Sequence, residues 1–223
     1  MAQKDRWEQE YADLRHLPSS RPRGVARAVA SFIETHPELS GVAWDAGAGM
    51  GRNTIYLAEK GFKVLGTDVS TTALKAAQRA VDQAGQTDDV TLQEHNAGAQ
   101  LGKPSETFSL VVDMMMLHLL DRNERQIYST EINRTLVKGG FLLFKTLAAD
   151  SEDAQQLIKE HPGPEDDSYI LPESGMIEKC FTPDSLAELF NPLQAVKLDK
   201  LTEQVDAFGG TFTRTYYVGV MQK

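Results

Sequence analysis

The chain has 223 residues, with 23 Lys plus Arg against 32 Asp plus Glu and a formal net charge of −9 at pH 7. The length fits one enlarged α/β domain, and 41% hydrophobic with 25% charged residues exclude the disordered and fibrous classes. An acidic surface repels phosphate backbones and anionic lipid, which argues against a nucleic-acid coat or a membrane-surface protein and favours small neutral or cationic ligands.

In chain order, Trp7, Tyr11 and Leu14 recur at helical spacing and predict a peripheral helix over residues 4–16, followed by turn-forming text. Val25, Val29, Phe32 and Ile33 predict a second helix that stops at His36 before Pro37. Residues 1–38 thus read as an N-terminal helical cover. From residue 41, short apolar runs (GVAWDAG, FKVLGTD, VTLQEHN) alternate with helical patterns (RNTIYLAEKG, TTALKAAQRAVDQAG). FSLVVDM (108–114) and GGFLLFKT (139–146) add two strands, with a helix over about 123–137 between them. Such alternation predicts a doubly wound, mainly parallel sheet. Residues 148–180 break the rhythm with acidic, proline-containing text and are expected to form a lid or substrate-shaping excursion. Thr182-Pro183 reads as an N-cap followed by proline at the first helical position. Two final strands follow around 195–203 and 211–221, the last pair antiparallel, which brings the sheet to seven strands in one domain over 1–223. The single cysteine, Cys180, leaves no intramolecular disulfide, no charged-then-apolar leader is visible, and the apolar run near 110–120 is too short to span a bilayer. A cytoplasmic protein, monomeric or homodimeric, is the expectation.

The segment Asp45-Ala46-Gly47-Ala48-Gly49-Met50-Gly51-Arg52-Asn53 lies between the first strand and its crossover helix. Glycines at 47, 49 and 51 permit positive φ and remove Cβ atoms, so that a ligand can lie against the main chain at a strand's carboxyl end. Asp45 is a charged residue at a nominally buried position and calls for a cationic ligand group or backbone N–H donors. The second strand ends in Asp68, whose carboxylate suits the vicinal hydroxyls of a ribose, and Val69 is placed to cover a purine face. The dinucleotide spacing GxGxxG is not met, because Arg52 stands where its third glycine belongs.

With these residues in place, Asp45 to Arg52 is similar to the first motif of the class I S-adenosylmethionine-dependent methyltransferases, and Gly66-Thr67-Asp68-Val69-Ser70 resembles the post-first motif. The resemblance covers residues 40–147 and implies a Rossmann-like sheet in which Asp45 and the three glycines, with Arg52 and Asn53, cradle the methionyl portion while Asp68 holds the ribose. Asn96-Ala97 stands where the family commonly has an aspartate facing the adenine amino group. Asp113 with Met114 matches the fourth motif near the sulfonium. Leu117-His118-Leu119-Leu120 and Phe181-Thr182-Pro183 look most like the small-molecule methyltransferases of the tellurite-resistance and thiopurine type, in which a segment such as Trp7 to Tyr11 folds over the cofactor.

Methyl transfer from a sulfonium is an in-line displacement that gains most from alignment in a dry pocket. Where the acceptor carries a proton, His118 is the candidate general base. Tyr169 and the carboxylates of residues 165–167 are candidates to shape the acceptor site, their charge favouring a neutral or cationic small molecule. The histidines are far apart in sequence and no zinc-ligand spacing appears, so no metal is expected. Two rival readings stay open: an NAD-dependent oxidoreductase, because a Rossmann-like sheet with Asp68 could bind that cofactor's ribose, and a non-catalytic S-adenosylmethionine-binding protein. The Tyr-x-x-x-Lys spacing of Tyr56 and Lys60 sits in the first crossover helix beside the glycine loop and reads as chance.

Overall fold

The computed structural model describes residues 3–12, 25–172, 174–207 and 210–223. Its first helix, α1 (Gln3–Ala12), ends before Leu14, which lies with the turn-forming text outside the described residues. The chain continues through α2 (Arg27–Thr35), β1 (Val42–Ala46), α3 (Arg52–Glu59), β2 (Lys63–Asp68), α4 (Thr71–Ala84), β3 (Val90–Glu94) and β4 (Phe108–Met114). A 3₁₀ turn (Leu117–Leu119), α5 (Arg122–Thr135), β5 (Leu136–Leu147), α6 (Glu152–Glu160), β6 (Ser168–Ile170) and β7 (Ile177–Lys179) follow. Helix α7 (Pro183–Leu189) and the long hairpin β8 (Gln194–Ala207) and β9 (Gly210–Gln222) complete it.

Seven strands form one sheet in the order β3-β2-β1-β4-β5-β9-β8. The pairs β1–β2, β1–β4, β2–β3 and β4–β5 are parallel, whereas β9 runs antiparallel to both β5 and β8. The expected antiparallel last strand is therefore present, inserted between β5 and β8. Strand order reverses between β1 and β4, and such a switch point opens a crevice at the carboxyl ends of the strands.

Both sheet faces are buried, as the continuously apolar strand sequences require. On one face Val29, Phe32 and Ile33 of α2 and Leu57 and Ala58 of α3 pack on Ala43, Val64, Leu110 and Val112. On the other, Tyr128 and Ile132 of α5 and Leu186 of α7 pack on Trp44, Val111, Leu142 and Phe144. Helix starts follow their local chemistry. The Ser70 hydroxyl accepts the Ala73 N–H, Asp121 and Glu124 form a reciprocal capping box, and Thr182 does the same with Ser185, with Pro183 in the first turn.

The 148–180 segment is more than a surface loop. Its ends are joined where Ala149 N–H donates to Phe181 O at 2.7 Å and Phe181 N–H to Leu147 O at 2.9 Å. Between them α6 and the β6–β7 hairpin build a third cluster in which Ala154, Tyr169, Leu171 and Cys180 pack on Leu147, Ala149 and Tyr216. Among the described residues no helix is long and apolar enough to cross a membrane.

Candidate active site

The carboxyl ends of β1, β2 and β4 deliver Asp45, Asp68 and Asp113 to one edge of the sheet. Gly47, Gly49 and Gly51 all have positive φ (71°, 55° and 84°), so the loop after β1 takes a path that other residues adopt only with strain. Two of them are also held by close approach. A Cβ on Gly47 would fall 2.7 Å from the Met116 Cβ, and one on Gly49 would fall 2.9 Å from the Tyr11 hydroxyl. Asp68 braces the loop from the next strand, accepting the Gly49 N–H at 2.9 Å through one oxygen and the Ser70 N–H at 2.9 Å through the other.

Asp45 is 1% exposed and accepts the Thr54 hydroxyl at 2.5 Å. Burial pushes its carboxyl up to about 6, against the opposing pull of that hydrogen bond and of the Arg52 charge. Asp113, also 1% exposed, is raised to about 6 by burial. Its oxygens accept the Met116 N–H at 2.8 Å and the Tyr128 hydroxyl at 3.0 Å, so its visible work is to fold the chain after β4 into the 3₁₀ turn. Met115 takes φ 80° at that bend, an uncommon conformation for a side-chain-bearing residue, while Met114 packs on the α2–α3 face.

Helix α1 closes the cradle from above. Trp7 and Tyr11 lie with ring centroids 5.9 Å apart, and the Tyr11 hydroxyl reaches Gly49. The helix is anchored by Glu8, whose carboxylate accepts the Thr71 hydroxyl at 2.9 Å and the Thr72 N–H at 3.2 Å, at the amino end of α4. Partial burial acts to raise the Glu8 carboxyl, but the hydrogen bonds from Thr72 and Thr71 win and hold it at about 2. A cavity of about 190 Å³ lined by Arg6, Gln9, Glu10, Ser174 and Met176 lies between this helix and the 148–180 segment.

His118 is 4% exposed in the 3₁₀ turn, and its Nε2 lies 3.6 Å from Oε1 of Glu178 on β7. Sequence reasoning missed Glu178, because nothing in its local text distinguishes it from the other acids of that segment. Glu8, Thr54 and Arg214 were missed for the same reason.

Other expected residues have different surroundings. The side-chain oxygen of Asn53 accepts the Ala26 N–H at 2.9 Å, tying the start of α2 to the glycine loop. Asn96 is exposed beyond the end of β3, its oxygen accepting the Gly98 N–H at 2.8 Å and its amide donating to Glu124 at 3.2 Å, while Ala97 is half-buried against the α5 side of the core. Val69 is half-buried between Asp68 and the Ser70 cap. The negative charge expected toward the acceptor is largely engaged: Glu165 pairs with Arg125 and lies 3.6 Å from Arg122, and Asp167 lies 3.6 Å from Lys179. Tyr56 packs into the α2–α3 core cluster, with Lys60 Nζ 5.2 Å from its ring centroid. This pair is a packing contact, as a chance Tyr-x-x-x-Lys spacing in the crossover helix would give.

Comparison with known proteins agrees with this geometry. Residues 43–140 match a family described as a methyltransferase domain. The chain shares the fold of an enzyme structure described for the conversion of a disulfide bond into a thioacetal group during echinomycin biosynthesis (TM-score 0.75, 20% identity, 100% of this chain and 92% of that one). It is likewise similar to the Burkholderia thailandensis 1,6-didemethyltoxoflavin-N1-methyltransferase with bound 1,6-didemethyltoxoflavin and S-adenosylhomocysteine (TM-score 0.69, 20% identity, 99% and 86%). TehB from Haemophilus influenzae also matches (TM-score 0.65, 16% identity, 87% and 62%). No curated protein matches in sequence. Residues 43–140 therefore match a methyltransferase domain, and the chain as a whole has the fold of these structures. The donor set at this strand end suits S-adenosylmethionine: a positive-φ glycine loop leaves its backbone bare of Cβ atoms, and the buried carboxylates of Asp45 and Asp68 flank it at the ends of β1 and β2.

Proposed function

We propose that the protein is an S-adenosylmethionine-dependent methyltransferase acting on a small molecule. The observation that carries this reading is the bracing of a three-glycine, positive-φ loop by Asp68, which presents a carboxylate and a bare backbone side by side at the switch point. Asp45, Gly47, Gly49 and Gly51 take the methionyl portion, with Arg52 tuning the Asp45 carboxyl by charge. Asp68 takes the ribose hydroxyls as a carboxylate acceptor at the end of β2. Val69, Asn96 and Ala97 border the adenine. Met114 and the turn held by Asp113 border the reacting end. Trp7 and Tyr11 exclude water from above, and His118 takes a proton from the acceptor.

The cofactor, when bound, supplies a methyl group on a sulfonium leaving group. The chain's own contribution is alignment and dryness, for which the α1 cover and the folded 148–180 segment are suited. The toxoflavin neighbour's small acceptor supports a small-molecule substrate here.

Calorimetric titration of the full chain tests this reading: S-adenosylhomocysteine is expected to bind in the micromolar range and NAD not at all. Binding of NAD alone, or of neither, overturns it.

A further inference from the structure

Four polar side chains from four separate elements meet beneath the cap. Glu178 on β7 is buried, and one of its oxygens accepts hydrogen bonds from the Tyr169 hydroxyl on β6 and from Arg214 Nη1 on β9, the latter at 3.0 Å. Its other oxygen faces His118 Nε2 at 3.6 Å. Burial acts to raise the Glu178 carboxyl, but the contact with His118, the Arg214 charge and the Tyr169 hydroxyl outweigh it and shift the carboxyl down, toward the ionised form. Arg214 also donates to the Tyr169 hydroxyl, which closes the cluster behind the carboxylate. The remaining charged group near the imidazole is Asp113 on β4, whose carboxyl is tied to the Met116 and Leu117 N–H groups and the Tyr128 hydroxyl.

The His118 Nδ1 atom, by contrast, is buried and has no hydrogen-bond partner among the described residues. A carboxylate accepts only, so Nε2 facing Glu178 carries the proton and Nδ1 presents a lone pair. At 3.6 Å the Nε2 contact is electrostatic and longer than a hydrogen bond, as pairs of this kind often are before a substrate arrives. A buried lone pair of this kind calls for a donor.

We propose that Glu178, backed by Tyr169 and Arg214, is the positioning residue that fixes the His118 tautomer, that Nδ1 is the atom that takes the proton, and that the acceptor is a neutral molecule bearing an N–H, O–H or S–H. In the step this implies, the acceptor atom forms its bond to the methyl carbon as the methyl–sulfur bond breaks with its electron pair retained by sulfur. The acceptor's proton passes to Nδ1, its bonding pair stays on the acceptor atom, and the imidazolium so formed is balanced by the Glu178 carboxylate. An acceptor without such a proton gains nothing from this arrangement.

This inference rests on the methyltransferase reading, and a spectroscopic measurement separates the two. Nitrogen-15 NMR of the histidine-labelled full chain, with and without S-adenosylhomocysteine, is expected to show the neutral form of His118 with Nε2 protonated and Nδ1 unprotonated, the signals assigned by their loss in His118→Gln. Glu178→Leu is expected to mix the two tautomers, whereas Glu178→Gln, which keeps an acceptor oxygen, preserves Nε2–H. A wild-type Nδ1–H tautomer, or one unchanged in a folded Glu178→Leu chain, overturns the proposal even where S-adenosylhomocysteine binds. Absent S-adenosylhomocysteine binding instead sinks the parent reading. With methyl-labelled S-adenosylmethionine, paired probes (a thiol with its thioether, a secondary with a tertiary amine) are expected to be methylated only as the protic member. That transfer falls about 100-fold or more in His118→Gln with S-adenosylhomocysteine affinity unchanged. Methylation of an aprotic member, or full transfer in His118→Gln, refutes the assignment.

Discussion

The two halves of the site are built by opposite means. The proposed cofactor half is a continuous stretch of chain, the loop after β1, braced by one residue of the adjacent strand. The proposed acceptor half is assembled from the 3₁₀ turn, β6, β7 and β9, no two of which are neighbours in sequence except the strands of one hairpin. The first depends on backbone conformation and the second on packing. Damage to each should therefore show in different measurements.

The sharpest break of the cofactor half is Gly47→Val. Its φ of 71° and the overlap with Met116 penalise any side chain, so a stability loss of about 2 to 4 kcal/mol is expected. S-adenosylhomocysteine binding should become undetectable by calorimetry, and retention of binding within tenfold of wild type would show that the loop is not the cradle.

Next in size is Asp68→Ala, expected to weaken S-adenosylhomocysteine about 30-fold, or about 2 kcal/mol. Because Asp68 also braces Gly49 and Ser70, part of that loss is structural. Measuring adenosine alongside homocysteine separates the parts, since the ribose share appears only with adenosine.

The third prediction concerns pH. The folded Asp45 carboxyl sits at about 6, above its ordinary 3.8, so the stability of the buried neutral acid is fully present below pH 3.8 and is lost as pH rises to about 6. Ligand binding needs the opposite form, a carboxylate for the ammonium group. Affinity for S-adenosylhomocysteine is therefore expected to fall up to tenfold per pH unit below about 6. A flat affinity between pH 5 and 7 in the wild type, or a dependence that survives in Asp45→Asn, would exclude Asp45 as the ammonium partner.

The smallest effect belongs to the hinge between the halves. Glu8→Gln removes a charge from the amino end of α4 and is expected to loosen α1 by about 0.5 to 1 kcal/mol. This shows as faster amide exchange in residues 5–12 with little change in global stability. The folded Glu8 carboxyl, at about 2, lies below its ordinary 4.5. The docking contribution is thus complete above pH 4.5 and lost as pH falls toward 2.

The fold was largely legible in the sequence. Residues 42–147 alternate strand and helix text, and every strand expected there exists, while Thr182 and Pro183 open α7 as their order implies. What misled was text whose meaning depends on its neighbours. Asn53 follows the glycine loop yet serves the start of α2. The acids of residues 165–167 are partly neutralised by Arg125, Arg122 and Lys179. None of these partners can be read from a linear spacing.

By itself the sequence determined the glycine cradle and its aspartates, because positive-φ backbone, strand ends and helix caps are properties of a few consecutive residues. Only the tertiary structure decided that Asp113 holds a turn, that Glu8 fastens the cover, and that Glu178 and Arg214 stand behind His118. These roles are long-range: each depends on burial raising the cost of an unpaired polar group until a partner from a distant element meets it.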